Sequence, residues 1–189
     1  PGCRESAEGA HMACPAHKIV KRGRGGKLLA DPARAADLVE SVAAHTSLPV
    51  TVKLRSGWSP EEGFTALDLA PRLVRAGARA IMLHPRFVTQ VYRGRSNWLH
   101  IAELVSACDV PVIGSGDLNT AADGINMLTE TRCAAVAFAR GALGNPWIFA
   151  EALARFEGRP IPELTVEEVL ATAREHCRLS NELGIWPDE

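Results

Sequence analysis

The chain has 189 residues, 21 basic against 22 acidic side chains, and 47% hydrophobic residues. That supplies one sizeable core, and a net charge of −1 argues against coating nucleic acid by bulk charge, leaving only local basic patches for such contacts. Five cysteines, an odd number without a C-x-x-C pair, argue against a disulfide framework and point to a reducing, cytoplasmic compartment. No apolar run reaches the roughly 20 residues of a membrane helix, and PGCRESAEGAHM lacks the basic-then-apolar layout of a secretory signal.

In chain order, residues 1–13 show no usable periodicity and are expected to be irregular. Cys14-Pro15 then opens a Lys-, Arg- and Gly-rich run from His17 to Gly26. Asp31-Pro32 is a helix start, with Asp as N-cap and Pro in the first turn. Leu38, Val39 and Val42 share one side of the helix that follows. Leu48-Pro49 ends that unit, and the β-branched stretch from Val50 to Leu54 reads as a buried strand. Leu67, Ala70, Leu73 and Val74 form the next apolar stripe, where Pro71 lacks a backbone donor and should kink the helix or delay its start.

Gly77 serves as a C-cap before a strand from Ala80 to His84. Asn97-Trp98 opens a helix through Ala107, and Val110-Pro111 leads into a third strand ending in Gly114, Ser115, Gly116 and Asp117. Asn119 or Thr120 caps another helix, and a fourth strand runs from Ala134 to Ala139 ahead of Arg140-Gly141. From Pro160 the character changes. Thr165 and Glu168 have capping-box spacing ahead of a long helix, which reads as the beginning of a separate helical segment.

Apolar strands that repeatedly deliver Lys, His, Asp or Arg at their C-terminal ends are how a parallel α/β protein builds an active site. Lys53, His84, Gly116 and Arg140 mark successive strand ends at intervals of 31, 32 and 24 residues, close to the roughly 25 to 30 that one strand plus one helix requires. Four such units predict either a small open sheet or part of a (β/α)₈ barrel.

Taken together and in order, CPAHKIVKRGRGG, VTVKLRSGW, AIMLHPR, VIGSGD and FARGALGNPWIF resemble the tRNA-dihydrouridine synthases, which are FMN-dependent flavoenzymes. The resemblance runs from about Met12 to Phe149 and implies an α/β fold: about strands five to eight of a TIM barrel, then the start of an α-helical domain. On this basis 1–13 is an irregular N-terminal segment, 14–158 a partial FMN-binding barrel lacking the first three strands, and 159–189 the start of the helical domain. The family pattern N-M-G-C-P stands here as His11-Met12-Ala13-Cys14-Pro15, H-G-R as His84-Pro85-Arg86, and G-N-G-D as Gly114-Ser115-Gly116-Asp117.

By the same resemblance, Cys14 is the catalytic acid that protonates C5 of the target uracil. An ordinary thiol, with a pKa of about 8.5, carries its proton at neutral pH and suits that role. Lys53 and His84 take the places of flavin-contacting residues, and Ser115, Gly116, Asp117, Ala139 and Arg140 those of the cofactor's phosphate site. From the residues alone, the alternatives are that Lys53 snorkels to solvent, that His84 is a satisfied core histidine, and that the glycines form a plain turn. Cys3, His11, Cys14 and His17 match no common zinc spacing, so no metal is expected.

The basic run Lys18, Lys21, Arg22, Arg24 and Lys27 lacks a Walker A pattern and is either a solvated loop or a surface for tRNA phosphates, with Arg93 and Arg95 as an extension. The implied activity is reduction of uridine to 5,6-dihydrouridine in tRNA, with FMN as cofactor and NADPH or NADH as reductant. The alternatives are an FMN-dependent reductase of a free pyrimidine and an inactive fragment that binds RNA or a partner.

Overall fold

A computed structural model of the protein describes residues 7–185. Its centre is a five-stranded sheet whose strands lie in sequence order, every neighbouring pair parallel: β1 (Glu8–His11), β2 (Val50–Arg55), β3 (Ala78–His84), β4 (Val112–Ser115) and β5 (Ala135–Ala137). Parallel neighbours in sequence order require each connection to cross back over one face, and a helix makes each crossing. This is part of a (β/α)₈ barrel followed by a helical region.

The helices are α1 (His17–Val20), α2 (Pro32–Ala44), α3 (Ala66–Arg75), α4 (Leu99–Ala107), α5 (Ala121–Thr131), α6 (Ile148–Phe156) and α7 (Val166–Glu182). The core forms between the strands and the helices that cover them. Val50, Val52 and Leu54 of β2 and Ile81 and Leu83 of β3 are buried with Leu69 and Leu73 of α3, Ile101 and Leu104 of α4 and Met127 of α5. Removing that much branched apolar surface from water is the main favourable term holding the layers together.

The expected caps are present. Asp31 accepts from the Arg34 N–H at 3.2 Å with Pro32 in the first turn, and Thr120 and Thr165 each close a capping box, with Asp123 and Glu168. Gly77 follows α3 at φ 111°, a value that side-chain-bearing residues rarely adopt. Pro71 does not delay α3, which starts at Ala66. A proline there removes only the bond to the Leu67 carbonyl, and the burial of Leu69, Ala70 and Leu73 offsets that loss.

One expectation is corrected. Within the stretch read as irregular, Glu8–His11 form a strand, so the sheet has five strands rather than four. The segment EGAH has little strand propensity of its own; β2 imposes the conformation. Glu8 N–H donates to the Pro49 carbonyl at 3.0 Å, Met12 N–H to the Lys53 carbonyl at 2.9 Å, and the Thr51 hydroxyl to the Glu8 carbonyl at 3.2 Å. Residues 1–6, with Cys3 of the four-residue His/Cys set, lie outside the described residues. Among the described residues no three His, Cys, Asp or Glu side chains cluster as metal ligands, and no helix is long and apolar enough to cross a membrane.

Candidate active site

The C-terminal ends of the five strands and the loops that follow them enclose a cleft of about 300 Å³. Cys14, Lys53, His84, Ser115, Gly116, Asp117, Ala139 and Arg140 all line it. Residues at the ends of β2, β3 and β4 and in the loops after β1, β4 and β5 thus reach one place, because parallel strands bring all their C-terminal ends to one edge of the sheet.

His11, Arg55 and Tyr92 also face the cleft and were not among the expected site residues. Arg55 had a signal, since it stands two residues after Lys53 and shares its side of β2. Tyr92, the single tyrosine, sits in a polar loop with no local periodicity to mark it. It lies between two guanidinium groups, with Arg55 5.7 Å and Arg140 5.4 Å from its ring centroid.

Arg55 is 2% exposed and its guanidinium ties the loop after β1 to the loop after β3. Nε donates to the Ala13 carbonyl at 3.0 Å, and Nη1 donates to the carbonyls of Phe87 at 3.1 Å and Val91 at 2.7 Å. It therefore anchors the residue before Cys14 to the loop that carries Tyr92. Lys53 is half-buried beside it, and its ammonium donates to the Met82 thioether at 3.1 Å, a weak acceptor. Burial, then the neighbouring Arg55 charge, pushes the Lys53 pKa below its ordinary value.

Arg86 and Asp117 form the support beneath the cleft. Arg86, 2% exposed, donates from Nη2 to both Asp117 carboxylate oxygens at 2.7 and 2.9 Å and to the Gly94 carbonyl at 2.7 Å. The Ser96 N–H and hydroxyl reach the same carboxylate at 2.7 and 3.0 Å. Burial alone would raise the Asp117 pKa, but the bonds from Ser96 and Arg86 outweigh it and hold the carboxyl below its usual value. This anchorage keeps Asp117 at φ 58°, a left-handed conformation uncommon outside glycine.

Its neighbour Gly116 has φ 107°, and a Cβ there would lie 2.9 Å from the His84 ring. Gly141 is equally constrained, since a Cβ would lie 2.3 Å from the Leu118 carbonyl oxygen. At both positions the space a Cβ would take is already filled by protein, and Gly116, which lines the cleft, brings bare backbone to its wall, the arrangement that lets N–H groups approach an anion. Arg140, 57% exposed and 3.5 Å from Asp117, stands at the rim. Cleft-facing cations outnumber the one carboxylate, and that carboxylate is already paired with Arg86. The cleft is therefore electropositive, which favours an anion over a cation there.

His84 is held neutral. Burial, followed by the charges of Arg55, Arg86 and Lys53, lowers its pKa from 6.5 to about 4, and Arg86 Nη1 donates to its unprotonated Nε2 at 3.1 Å. Between those two pH values the unfolded chain binds a proton that the folded chain refuses, so stability falls as the pH drops from 6.5 toward about 4. Between about pH 7 and about pH 4.5, the melting temperature should fall further for the wild type than for His84→Gln, which keeps an acceptor and loses the titration. Equal falls in a pH series of thermal melts would show that His84 titrates as an ordinary histidine.

Comparison with known proteins identifies the family. The family model described as dihydrouridine synthase (Dus) matches residues 11–184. A protein of Treponema pallidum named probable tRNA-dihydrouridine synthase is 41% identical over 181 residues, covering 90% of this chain and 53% of its own length. A Synechocystis protein, probable tRNA-dihydrouridine synthase 1, is 40% identical over 172 residues, covering 89% of this chain and 48% of its own. The tRNA-dihydrouridine synthase B of Proteus vulgaris is 31% identical over 169 residues, covering 89% and 52%. The chain thus spans about half the length of the curated relatives it matches. With a family model aligned from the last residue of β1 to beyond the end of α7, the chain belongs to the dihydrouridine synthase family.

Proposed function

We propose that this protein acts in the reduction of uridine to 5,6-dihydrouridine in tRNA, with FMN as resident cofactor and NADPH or NADH as reductant. The observation that carries this reading is the meeting of Cys14 with Lys53, His84, the Ser115–Asp117 turn and Ala139-Arg140 in one cationic cleft. The residues fit a flavin mononucleotide. Gly116 brings bare backbone to the cleft wall for a phosphate, Arg140 offers it a guanidinium, and Lys53 has a half-buried ammonium whose bonded partner is a thioether. When bound, FMN supplies hydride to the uracil ring.

The chain's own residues do the rest. Cys14, half-buried at the cleft wall, delivers the proton to C5 and is left as a thiolate for solvent to reprotonate. Neutral His84 and the Lys53 cation would supply the polar contacts that hold the cofactor ring. Lys18, Lys21, Arg22, Arg24 and Lys27 are exposed just after Cys14, where they meet tRNA phosphates and steady a uridine turned out of its stack. Arg93 and Arg95, also exposed, extend that surface. In this reading the catalytic unit runs to about residue 158, and α7 opens a helical unit with Val166 and Leu170 exposed on its surface.

The test has two arms. FMN added to the purified protein should raise its melting temperature, with Lys53→Ala and Arg140→Ala each weakening binding at least about tenfold, the scale of one lost charged hydrogen bond. Incubation with unmodified tRNA, FMN and NADPH should convert uridine to a product heavier by two hydrogen atoms. No thermal shift together with no conversion sinks the proposal. Conversion of free uracil in preference to tRNA would replace it with a reductase of free pyrimidines.

A further inference from the structure

We infer that the Gly25-Gly26 turn is a mould that sets the position of the Cys14 side chain, which makes both glycines positioning residues for proton delivery. The inference rests on the proposed role of Cys14 as proton donor, and the observations behind it are independent of that role.

Cys14 is held on both sides. The carbonyl of Ala13 accepts from Arg55 Nε at 3.0 Å, and the carbonyl of Cys14 itself accepts from the Gly26 N–H at 2.9 Å. Behind this bond the two glycines, both buried, press directly on the cysteine. A Cβ at Gly25 would lie 2.9 Å from the Cys14 carbonyl oxygen, 3.0 Å from Cys14 Cβ and 2.9 Å from Ile19 Cγ2, and Gly25 already stands at φ 57°. A Cβ at Gly26 would lie 2.6 Å from Val88 Cγ2 and 3.2 Å from the Cys14 carbonyl oxygen.

The two contacts differ in what can yield. At Gly25 the obstacle includes backbone, so a side chain displaces Cys14 or the turn, and the left-handed conformation adds strain. At Gly26 the nearest obstacle is a side chain. Val88 is 3% exposed and its N–H is bonded to the Gly57 carbonyl at 3.0 Å, so its main chain is itself anchored and a new Cβ is driven toward Cys14. Trimming Val88 opens that space. Gly23 is a useful contrast: it lies in the same loop at φ 67°, but its added Cβ would meet the tip of Arg34, 3.2 Å away.

Proton transfer to carbon is sensitive to placement, and a shift of about 1 Å can cost about 10²-fold in rate. Gly26→Ala should therefore lower kcat for uridine reduction in tRNA by about 10²-fold. The affinity for FMN should be unchanged, because the nearest atoms to a Cβ added at either glycine belong to Cys14, Ile19 and Val88 and to none of the residues proposed to hold the cofactor. Val88→Ala in the Gly26→Ala background should restore at least about tenfold of that loss. Gly25→Ala should lose as much and not be restored.

A second readout needs no catalysis. The rate at which iodoacetamide modifies Cys14, followed by peptide mass spectrometry, should change in both Gly25→Ala and Gly26→Ala and return in the Val88→Ala double variant. The exposed Cys177 of α7 serves as internal standard, and Gly23→Ala should leave the Cys14 rate where it was. Unchanged Cys14 modification in a folded Gly26→Ala protein, or a loss that Val88→Ala does not relieve, overturns the inference. Failure of the wild type to reduce uridine would sink the proposed function instead, and the modification rates would still decide the mould.

Discussion

On the proposed function, Cys14→Ala should lower the rate of uridine reduction in tRNA by about 10²–10⁴-fold, the usual worth of a positioned acid, while the nicotinamide-dependent loss of flavin absorbance continues at the wild-type rate. The two half-reactions ask for different groups. The first needs no proton on carbon, whereas saturating the uracil 5,6 bond leaves C5 in need of one, and Cys14 is the thiol that lines the cleft. Cys14→Ser is the sharper variant, since it keeps the size and hydrogen-bonding type but replaces the thiol by a far weaker acid. Stopped-flow flavin reduction alongside mass analysis of tRNA separates the outcomes. Full tRNA turnover in either variant removes Cys14 from the mechanism, and equal loss in both half-reactions makes it a structural residue.

Asp117→Ala should be the most destabilising single change in the site, costing about 3 kcal/mol, the low end for breaking a buried pair. Arg86 is 2% exposed, and without the carboxylate it keeps only the Gly94 carbonyl and His84 as partners. The Ser96 N–H and hydroxyl lose their acceptor in the same step. For a chain of this size that corresponds to a melting temperature lower by about 6–12 °C. The double variant Arg86→Leu/Asp117→Ala should be less unstable than Asp117→Ala alone, because it removes the stranded charge as well as its partner. Both should lose FMN binding, since the left-handed turn at Gly116-Asp117 is held by this network. A cost below about 1 kcal/mol for Asp117→Ala, or a double variant worse than the single, would show that the pair is not what supports the turn.

Much of the molecule was legible before folding because the relevant chemistry is local. An Asp before a Pro, or a Thr three residues before an acid, caps a helix through atoms only a few bonds away, so Asp31, Thr120 and Thr165 kept their expected roles. The same holds for β2 to β5, where apolar stretches end in Lys53-Leu54-Arg55, His84, Ser115 and, beyond β5, Arg140. A strand must bury its apolar side chains, and its first polar positions then fall at the rim. The types of residue gathered in the cleft followed from that alternation and from the resemblance carried by five motifs in order.

Only the tertiary structure decided the rest, and in each case the deciding partner is distant in sequence. Glu8–His11 has no reason to extend until β2 offers its carbonyls and amides. Arg55 lines the cleft, but its guanidinium is spent on the Ala13 carbonyl 42 residues away and on the loop of Tyr92, which it organises. Arg86 finds Asp117 across 31 residues, and Gly25 and Gly26 are more than turn residues only because Cys14 and Val88 are folded onto them. The neutrality of His84 is likewise a property of the assembled site, set by burial and three surrounding cations rather than by imidazole itself. Short-range chemistry is written in neighbouring residues; desolvation, charge and close packing depend on everything brought within a few ångströms, which exists only once the strands have closed into a sheet.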